Sequence, residues 1–434
     1  MSLSAPPNCA KDPLIIRSMG RSPVGSMGFL LNHRESRWRQ SVRLEALIRG
    51  GGGMGKRALL VRGGALPTSS GFGRAHHATV QRLKSGLVSG WEILKEIDHK
   101  IDDAGPLKRL RRRWFSHPSI VQKIANQQQP DLIHITDQEQ AHLVPKHANC
   151  PVVVTVHDLF LFDPTEMQTS WGSIKIGDRK TGIVRRMDLQ RLKKGLRRAD
   201  LAICISQATA DHLSRLIPEI PTAIVPNSVD VDARDPRKNL RSRPHLTEDS
   251  LHLLIVGSED RRKALGFVLD VIGEIDSDVR PQIVVHKVGA ESDSFAEKRL
   301  KDHASRLDVN LTWHGKVEEE DLIALEQHCD ALLFPSAAEG FGLPVVEAMA
   351  SGCPVLVNDL GAQNEHPPPS CILPPFDISS WKDAILKMNQ ERIARGSTNR
   401  SPRIDLIESA SSYSIESISS FHNDAYAAAI ELKK

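Results

Sequence analysis

Glu339 and Glu347 bracket the segment of this 434-residue chain whose residue types speak most directly of chemistry. From Ala331 to Gly352 it reads Ala-Leu-Leu-Phe-Pro-Ser-Ala-Ala-Glu-Gly-Phe-Gly-Leu-Pro-Val-Val-Glu-Ala-Met-Ala-Ser-Gly. The apolar run to Phe334 predicts a strand, Pro344 the first residue of a helix, and Gly352 its stop. Phe341, Gly342 and Leu343 then present backbone N–H groups at a positive helix end, a natural seat for phosphate. Gly340 and Gly342 let an anion approach the backbone closely. Glu339 falls on the loop and Glu347 on the first helical turn. Two carboxylates beside a phosphate are electrostatically awkward unless they accept from hydroxyls, such as those of a sugar and a ribose.

Three further clusters follow strand-like runs. Asp260-Arg261-Arg262-Lys263 is a basic turn after the run Leu251 to Gly257. His157 ends the run Pro151 to His157; a histidine at a strand's carboxyl end borders the expected ligand crevice, and Asp158 beside it suits an orienting or helix-capping role. Gly71-Phe72-Gly73-Arg74 makes a glycine-rich turn into a helix. His76 occupies the place of the third glycine of a dinucleotide fingerprint, which argues against a nicotinamide or flavin site.

The elements that must position these groups alternate strand and helix. Strands are predicted at Ala58 to Val61, Gly90 to Ile97, Asp131 to Thr136, Pro151 to His157, Leu201 to Ser206 and Thr222 to Pro226. A second series runs through Leu251 to Gly257, Gln282 to Val288, Val309 to His314, Ala331 to Phe334 and Val355 to Asn358. Such alternation implies parallel sheets, hence an α/β chain with two Rossmann-like domains at 56–229 and 250–412. The proline-interrupted polar stretch 230–249 has linker composition. Residues 413–434 predict a terminal helix with Ile415, Ile418, Phe421, Ala425 and Ala429 on one face. Residues 1–55, rich in Arg, Ser, Pro and Gly, read as a disordered extension, a transit peptide, or sequence upstream of a true start at Met54.

Composition narrows the class. With 40% hydrophobic but only 4% aromatic residues, the apolar runs are aliphatic, as buried parallel strands require. A net charge of +4 is too mild to indicate a nucleic-acid partner. Cys9, Cys150, Cys204, Cys329, Cys353 and Cys371 show neither disulfide nor zinc spacing, which suits a reducing cytoplasm. No apolar run reaches the roughly 20 residues of a membrane span. Positive charge gathers in Lys108-Arg109-Leu110-Arg111-Arg112-Arg113-Trp114 and in Arg185, Arg186, Arg191, Lys193, Lys194, Arg197 and Arg198, a pattern equally suited to solvated helix faces or to peripheral contact with an anionic membrane.

Pro-Ser-x-x-Glu-Gly-Phe-Gly-Leu-Pro-x-x-Glu-Ala-Met-Ala-x-Gly, carrying Glu339-x7-Glu347, resembles the signature of the family-4 retaining glycosyltransferases of GT-B fold, the group-1 glycosyl transferases of bacterial type, and the similarity extends over about residues 56–430. The resemblance implies a nucleoside-diphosphate sugar as substrate and donor. Glu339 would hold the donor sugar's hydroxyls, Glu347 the ribose, and the amides of Phe341, Gly342 and Leu343 the diphosphate and sugar. Arg262 and Lys263 would neutralise the leaving diphosphate. His157 would reach the donor sugar, Val317 in Trp313-His314-Gly315-Lys316-Val317 would lie near the nucleobase, and Gly71, Phe72 and Gly73 would face the cleft. The family usually has Arg at Ser258, Asn or Gly at Ala264, and Gly at the hinge position Ser228.

The implied activity is retaining transfer of a hexose-type sugar to a glycan or lipid-linked acceptor, in the cytoplasm or peripherally at the inner membrane face. No cofactor or essential metal is expected: Asp230-Val231-Asp232 and Asp276-Ser277-Asp278 do not follow strands at a cleft. A sugar-nucleotide epimerase or a glycan phosphorylase would use the same architecture with other catalytic groups. A sugar-nucleotide-binding protein without transferase activity is a third reading, prompted by Ser228, Ser258 and Ala264.

Overall fold

In the computed structural model, which describes residues 55–63, 71–98, 105–177, 182–396 and 400–434, the alternating pattern resolves into two six-stranded parallel sheets. The first domain contains β1 (Lys56–Arg62), β2 (Trp91–Asp98), β3 (Leu132–Ile135), β4 (Val152–Val156), an antiparallel hairpin of β5 (Thr165–Thr169) and β6 (Gly172–Ile176), then β7 (Leu201–Cys204) and β8 (Thr222–Ile224). Its sheet runs β2-β1-β3-β4-β7-β8. The second contains β9 (Leu251–Val256), β10 (Ile283–Val288), β11 (Asn310–Gly315), β12 (Ala331–Phe334), β13 (Val355–Asn358) and β14 (Ile372–Leu373), in the order β11-β10-β9-β12-β13-β14. Residues 53–434 form one compact unit. The expectation for the N-terminal extension falls outside the described residues.

Val152 to Val156 and Leu201 to Cys204 are buried at every position, so these strands carry aliphatic side chains on both faces and helices cover both sides. In the second sheet the order reverses between β9 and β12, which opens the crevice at their carboxyl ends where doubly wound sheets bind ligands. The loops bearing Lys263 and Glu339 follow those two strands.

Three features depart from the sequence-based expectation. The hairpin β5–β6 leaves the first domain and buries Ile174 and Ile176 in the core around Phe267 and Trp381 of the second. Trp171 at its turn stacks on Phe376 at 6.1 Å and donates to Asp270 at 2.7 Å. The stretch 230–249, polar enough to suggest a solvated linker, instead begins with a short helix Val231–Arg234 capped by Asp230 and plants Arg234 in the second domain, against Glu326 and Glu319. The terminal helix Ile415–Lys433 turns a slightly different face inward: Phe421 is 45% exposed, whereas Ile418, His422, Ala425, Tyr426 and Ala429 are buried. His422 and Tyr426 belong inside because they meet polar groups of the first domain, Arg82 and His134. The helix thus returns to the first domain, where Lys433 also pairs with Asp200 at 3.2 Å.

Candidate functional site

The loop after β12 is held from beneath by polar side chains. Asn358 Nδ2 donates to the Pro335 carbonyl at 2.6 Å and Gln363 Nε2 to that of Ser336 at 2.8 Å. Gly342 follows with φ of 98°, and an added Cβ there would lie 3.0 Å from Gln363 Cβ, so glycine is required to turn the chain into the helix Leu343–Ala350. Pro344 is the second helical residue, and Glu347 lies on the second turn rather than the first, because the helix already begins at Leu343. Gly352, at φ of 64°, ends it as expected.

Glu339 meets the basic turn after β9. Its Oε1 accepts from Lys263 Nζ at 2.6 Å and its Oε2 lies 3.1 Å from Arg262 Nη1. The carboxylate is nearly sealed from solvent. Burial alone would raise its pKa, but Lys263 and Arg262 outweigh burial and hold the carboxyl below its ordinary value. The basic turn is fixed independently: Asp260 caps the Arg262 amide at 3.0 Å, and the Arg262 carbonyl accepts from the Ala337 amide at 2.7 Å. Ala264 adopts a left-handed φ of 50°, which accounts for a position where Asn or Gly would be easier.

The first domain contributes its side of the crevice through β4. The His157 carbonyl packs so tightly on Gly340 that a Cβ there would lie 1.9 Å from it. Ser206 and Thr209 donate to the Gly340 carbonyl at 2.7 and 3.1 Å, and Glu365 accepts from the amides of Gln207 and Ala208. The Glu339 loop is therefore seated on the first domain at the ends of β4 and β7. His157 Nε2 donates to the Thr136 carbonyl at 2.9 Å, and burial lowers the pKa of the ring, favouring the neutral form. Its main chain reaches the Glu339 loop, while Nε2 turns toward β3. Burial raises the pKa of neighbouring Asp158 against the pull of Arg262.

Arg74, next to the glycine-rich turn, pairs with Glu347 at 2.5 Å. Gly71 and Gly73 open the helix Gly71–Lys84, and the preceding Ser69 and Ser70 lie outside the described residues. Phe341 points away from the crevice, into a cluster with His366 and Tyr413, so only its backbone is placed for a ligand. Val317 follows β11, two strands from β9, and packs against the core rather than joining the groups at Glu339. Ser228 receives a hydrogen bond from Arg82 at 2.8 Å, a use for the hydroxyl that glycine could not supply. Asp230 caps a helix and Asp232 pairs with Lys238. The part played by Arg74, Asn358, Gln363 and Glu365 was not foreseen; only the polarity of Asn358 at the end of a buried strand signals it in the sequence.

A family profile described as "Glycosyl transferases group 1" matches residues 236–392, and one described as "Glycosyltransferase Family 4" matches residues 90–233. The chain is 28% identical over 178 residues to the serotype-specific mannosyltransferase WbdA of Escherichia coli, a match covering 37% of this chain and 22% of that protein. It is 32% identical over 167 residues to a D-inositol 3-phosphate glycosyltransferase of Geodermatophilus obscurus, covering 35% of this chain and 37% of that one. The chain thus spans between about a fifth and two fifths of the length of these relatives. Among solved structures, sucrose-phosphate synthase from Thermosynechococcus elongatus aligns with a TM-score of 0.63 at 18% identity, over 86% of this chain and 98% of that one. Anabaena HepE with UDP and glucose aligns with a TM-score of 0.60 at 15% identity, over 84% and 97%. At these identities the likeness to solved structures is one of fold.

Proposed function

The chain belongs to the family-4 glycosyltransferases of GT-B fold, and from that premise we propose that it transfers a hexose-type sugar from a nucleoside-diphosphate sugar to a glycan or lipid-linked acceptor, with retention at the anomeric carbon. The observation that carries the proposal is the contact of Lys263 and Arg262 with Glu339 across the β9/β12 crevice. It sets two cations where a departing diphosphate gains charge and a carboxylate where sugar hydroxyls can be gripped. The complex of HepE with UDP-glucose supports a nucleotide-sugar donor, and similarity to an O-antigen chain mannosyltransferase supports a glycan acceptor.

In this reading the bond between the anomeric carbon and the β-phosphate oxygen breaks as the acceptor hydroxyl attacks from the same face. The acceptor's proton passes to the leaving phosphate oxygen, so no side chain acts as a strong base. Lys263, Arg262 and the amides at the start of Leu343–Ala350 take up the developing charge, which calls for no essential divalent ion. Glu339 orients the sugar and Glu347 binds the ribose hydroxyls. His157, kept neutral by burial, lines the first-domain side of the reacting sugar. Closure of the crevice excludes the water that would hydrolyse the donor.

A thermal-shift screen with UDP-, GDP-, ADP- and dTDP-sugars identifies the donor by the stabilisation that binding confers. Nucleoside diphosphate release is then measured with the selected donor, and the anomeric configuration of the product is read by NMR. Turnover by Glu339→Ala equal to that of the unchanged chain would remove Glu339 from the site; an inverted product would reject retention.

A further inference from the structure

Among the described residues, six of the thirteen exposed large hydrophobic side chains lie on two neighbouring helical segments of the first domain. Leu107, Phe115 and Ile120 are on residues 106–128; Ile183, Val184 and Met187 begin the helix Ile183–Leu196. Leu107 and Ile183 are 85% and 81% exposed, so they have almost no protein to pack on. The two segments are tied to one another. Arg113 bonds both oxygens of Asp188 at 2.9 and 3.0 Å, Trp114 Nε1 donates to the same carboxylate at 2.9 Å, and the Arg191 guanidinium lies 4.6 Å above the Trp114 ring. Isolated exposed apolar residues need no explanation, but a clustered set does.

Charge supplies the second, independent observation. Between the helices His117–Gln128 and Ile183–Leu196 opens a groove of about 870 Å³ whose walls carry Lys123, Lys146, Arg191, Lys194 and Arg198 and, among the described residues, no carboxylate. Exposed Lys108, Arg109, Arg111 and Arg186 extend the positive field around the apolar residues. Large aliphatic side chains projecting from a cationic rim are what an interfacial layer of acyl chains and anionic headgroups accommodates. A small soluble anion would leave Leu107 and Ile183 without a purpose.

We propose that this face docks on an anionic lipid bilayer, with Leu107, Phe115, Ile183 and Val184 entering the interfacial layer and the groove receiving the phosphate of an anionic phospholipid headgroup. The placement relative to the crevice follows from one connection. Residues Gln138–Leu143 wall the groove at His142, and the first of them, Gln138, accepts from the His157 amide at 2.9 Å. Docking therefore acts on the domain whose β4 borders the crevice, which suits a lipid-linked acceptor; only this last point rests on the function proposed above.

The test is flotation of the full chain with vesicles of phosphatidylcholine alone or containing phosphatidylglycerol. Binding to the anionic vesicles at least tenfold tighter than to neutral ones, and weakened by 0.5 M salt, is expected, since each basic residue near such a surface contributes roughly fivefold. The paired substitutions Lys123→Glu/Lys194→Glu and Ile183→Ser/Val184→Ser should each weaken binding about tenfold or more, with melting temperatures unchanged because these side chains are exposed. No binding, or equal binding by both variants, overturns the proposal. A thermal shift with glycerol phosphate but no vesicle binding would assign the groove to a small anion instead. A dimer in sedimentation that Ile183→Ser/Val184→Ser dissolves would assign the face to a second copy of the chain. Nucleotide release is read separately, so failure of the transferase reading leaves the vesicle result intact, and the reverse.

Discussion

Arg74 Nη1 lies 2.5 Å from Glu347 Oε1, joining the helix after β1 to the helix after β12 by charge. Arg234 stands 3.7 Å from the same oxygen, while Oε2 is buried and accepts no hydrogen bond from any of the described residues. A buried carboxylate oxygen with unused acceptor capacity beside a crevice suits a ligand hydroxyl. Glu347→Gln keeps the shape and removes the charge. It should weaken binding of the cognate nucleoside diphosphate about tenfold, the worth of a hydrogen bond to a charged group. Calorimetric titration checks this, and undiminished affinity would exclude Glu347 from the ribose subsite.

Lys263 carries most of the contact with Glu339, so Lys263→Ala should lower kcat by about 10²–10³, the typical effect of deleting one charge-stabilising donor. Because Arg262 remains beside Glu339 Oε2, the deletion should not abolish turnover. Since Lys263 and Glu339 touch, the double variant with Glu339→Ala should lose much less than the sum of the two single losses. Additive losses would mean that they act separately.

Gly340 and Gly71 should respond in opposite ways to alanine. The first has the His157 carbonyl where a Cβ would go; the second has none of the described residues within 4 Å. Gly340→Ala must push β4 and the Glu339 loop apart, with activity falling at least tenfold and stability by about 1–3 kcal/mol. Gly71→Ala should leave the melting temperature unchanged or slightly raised. Equal melting temperatures for the two variants would contradict the close approach of His157 to this loop.

Acid should destabilise the fold through its buried histidines. Burial pushes His76 and His366 down to about 4 and His134 and His286 down to about 3, against roughly 6.5 in the unfolded chain. Below pH 6.5 the unfolded chain takes up protons that these folded rings refuse. Each ring therefore contributes stability that is complete above 6.5 and lost as pH falls, by up to about 1.4 kcal/mol per pH unit, until its folded pKa is reached. His157, His252, His314 and His422 are lowered for the same reason. Asp137, pushed up to about 6 by burial, and Glu139, Asp158, Glu326 and Glu365, also raised by burial, oppose the trend but are fewer than the eight rings. Urea midpoints should hold steady between pH 8 and 7 and fall continuously from 6.5 to 4.5; a rise on acidification would contradict this balance.

Local patterns foretold the sheets because aliphatic runs such as Val152 to Val156 and Leu251 to Val256 can satisfy their burial only in parallel strands. The site was legible where one contiguous segment carries it, as from Glu339 to Gly352. Long-range pairings were not. Nothing in the neighbourhood of Arg74 indicates a partner at Glu347, and Arg234 sits in a stretch whose prolines and charges imitate a solvated linker although its side chain is buried. β5 and β6 escaped notice because their alternation is interrupted by polar residues, and β14 because it has only two residues. Phe421 misled because spacing cannot distinguish a helix's apolar stripe from the adjacent positions, while His422 and Tyr426 look polar until their partners are known.

The hairpin β5–β6 makes the crevice a strapped joint rather than a free hinge. Trp171 is gripped by Phe376 and Asp270, and Ser170 by the Phe376 carbonyl, while residues 157–164 connect the end of β4 to this hairpin. Rotation of the second sheet therefore pulls on β4 as well as on the linker. A change at Phe376, remote in sequence from both His157 and the Glu339 loop, would loosen this strap.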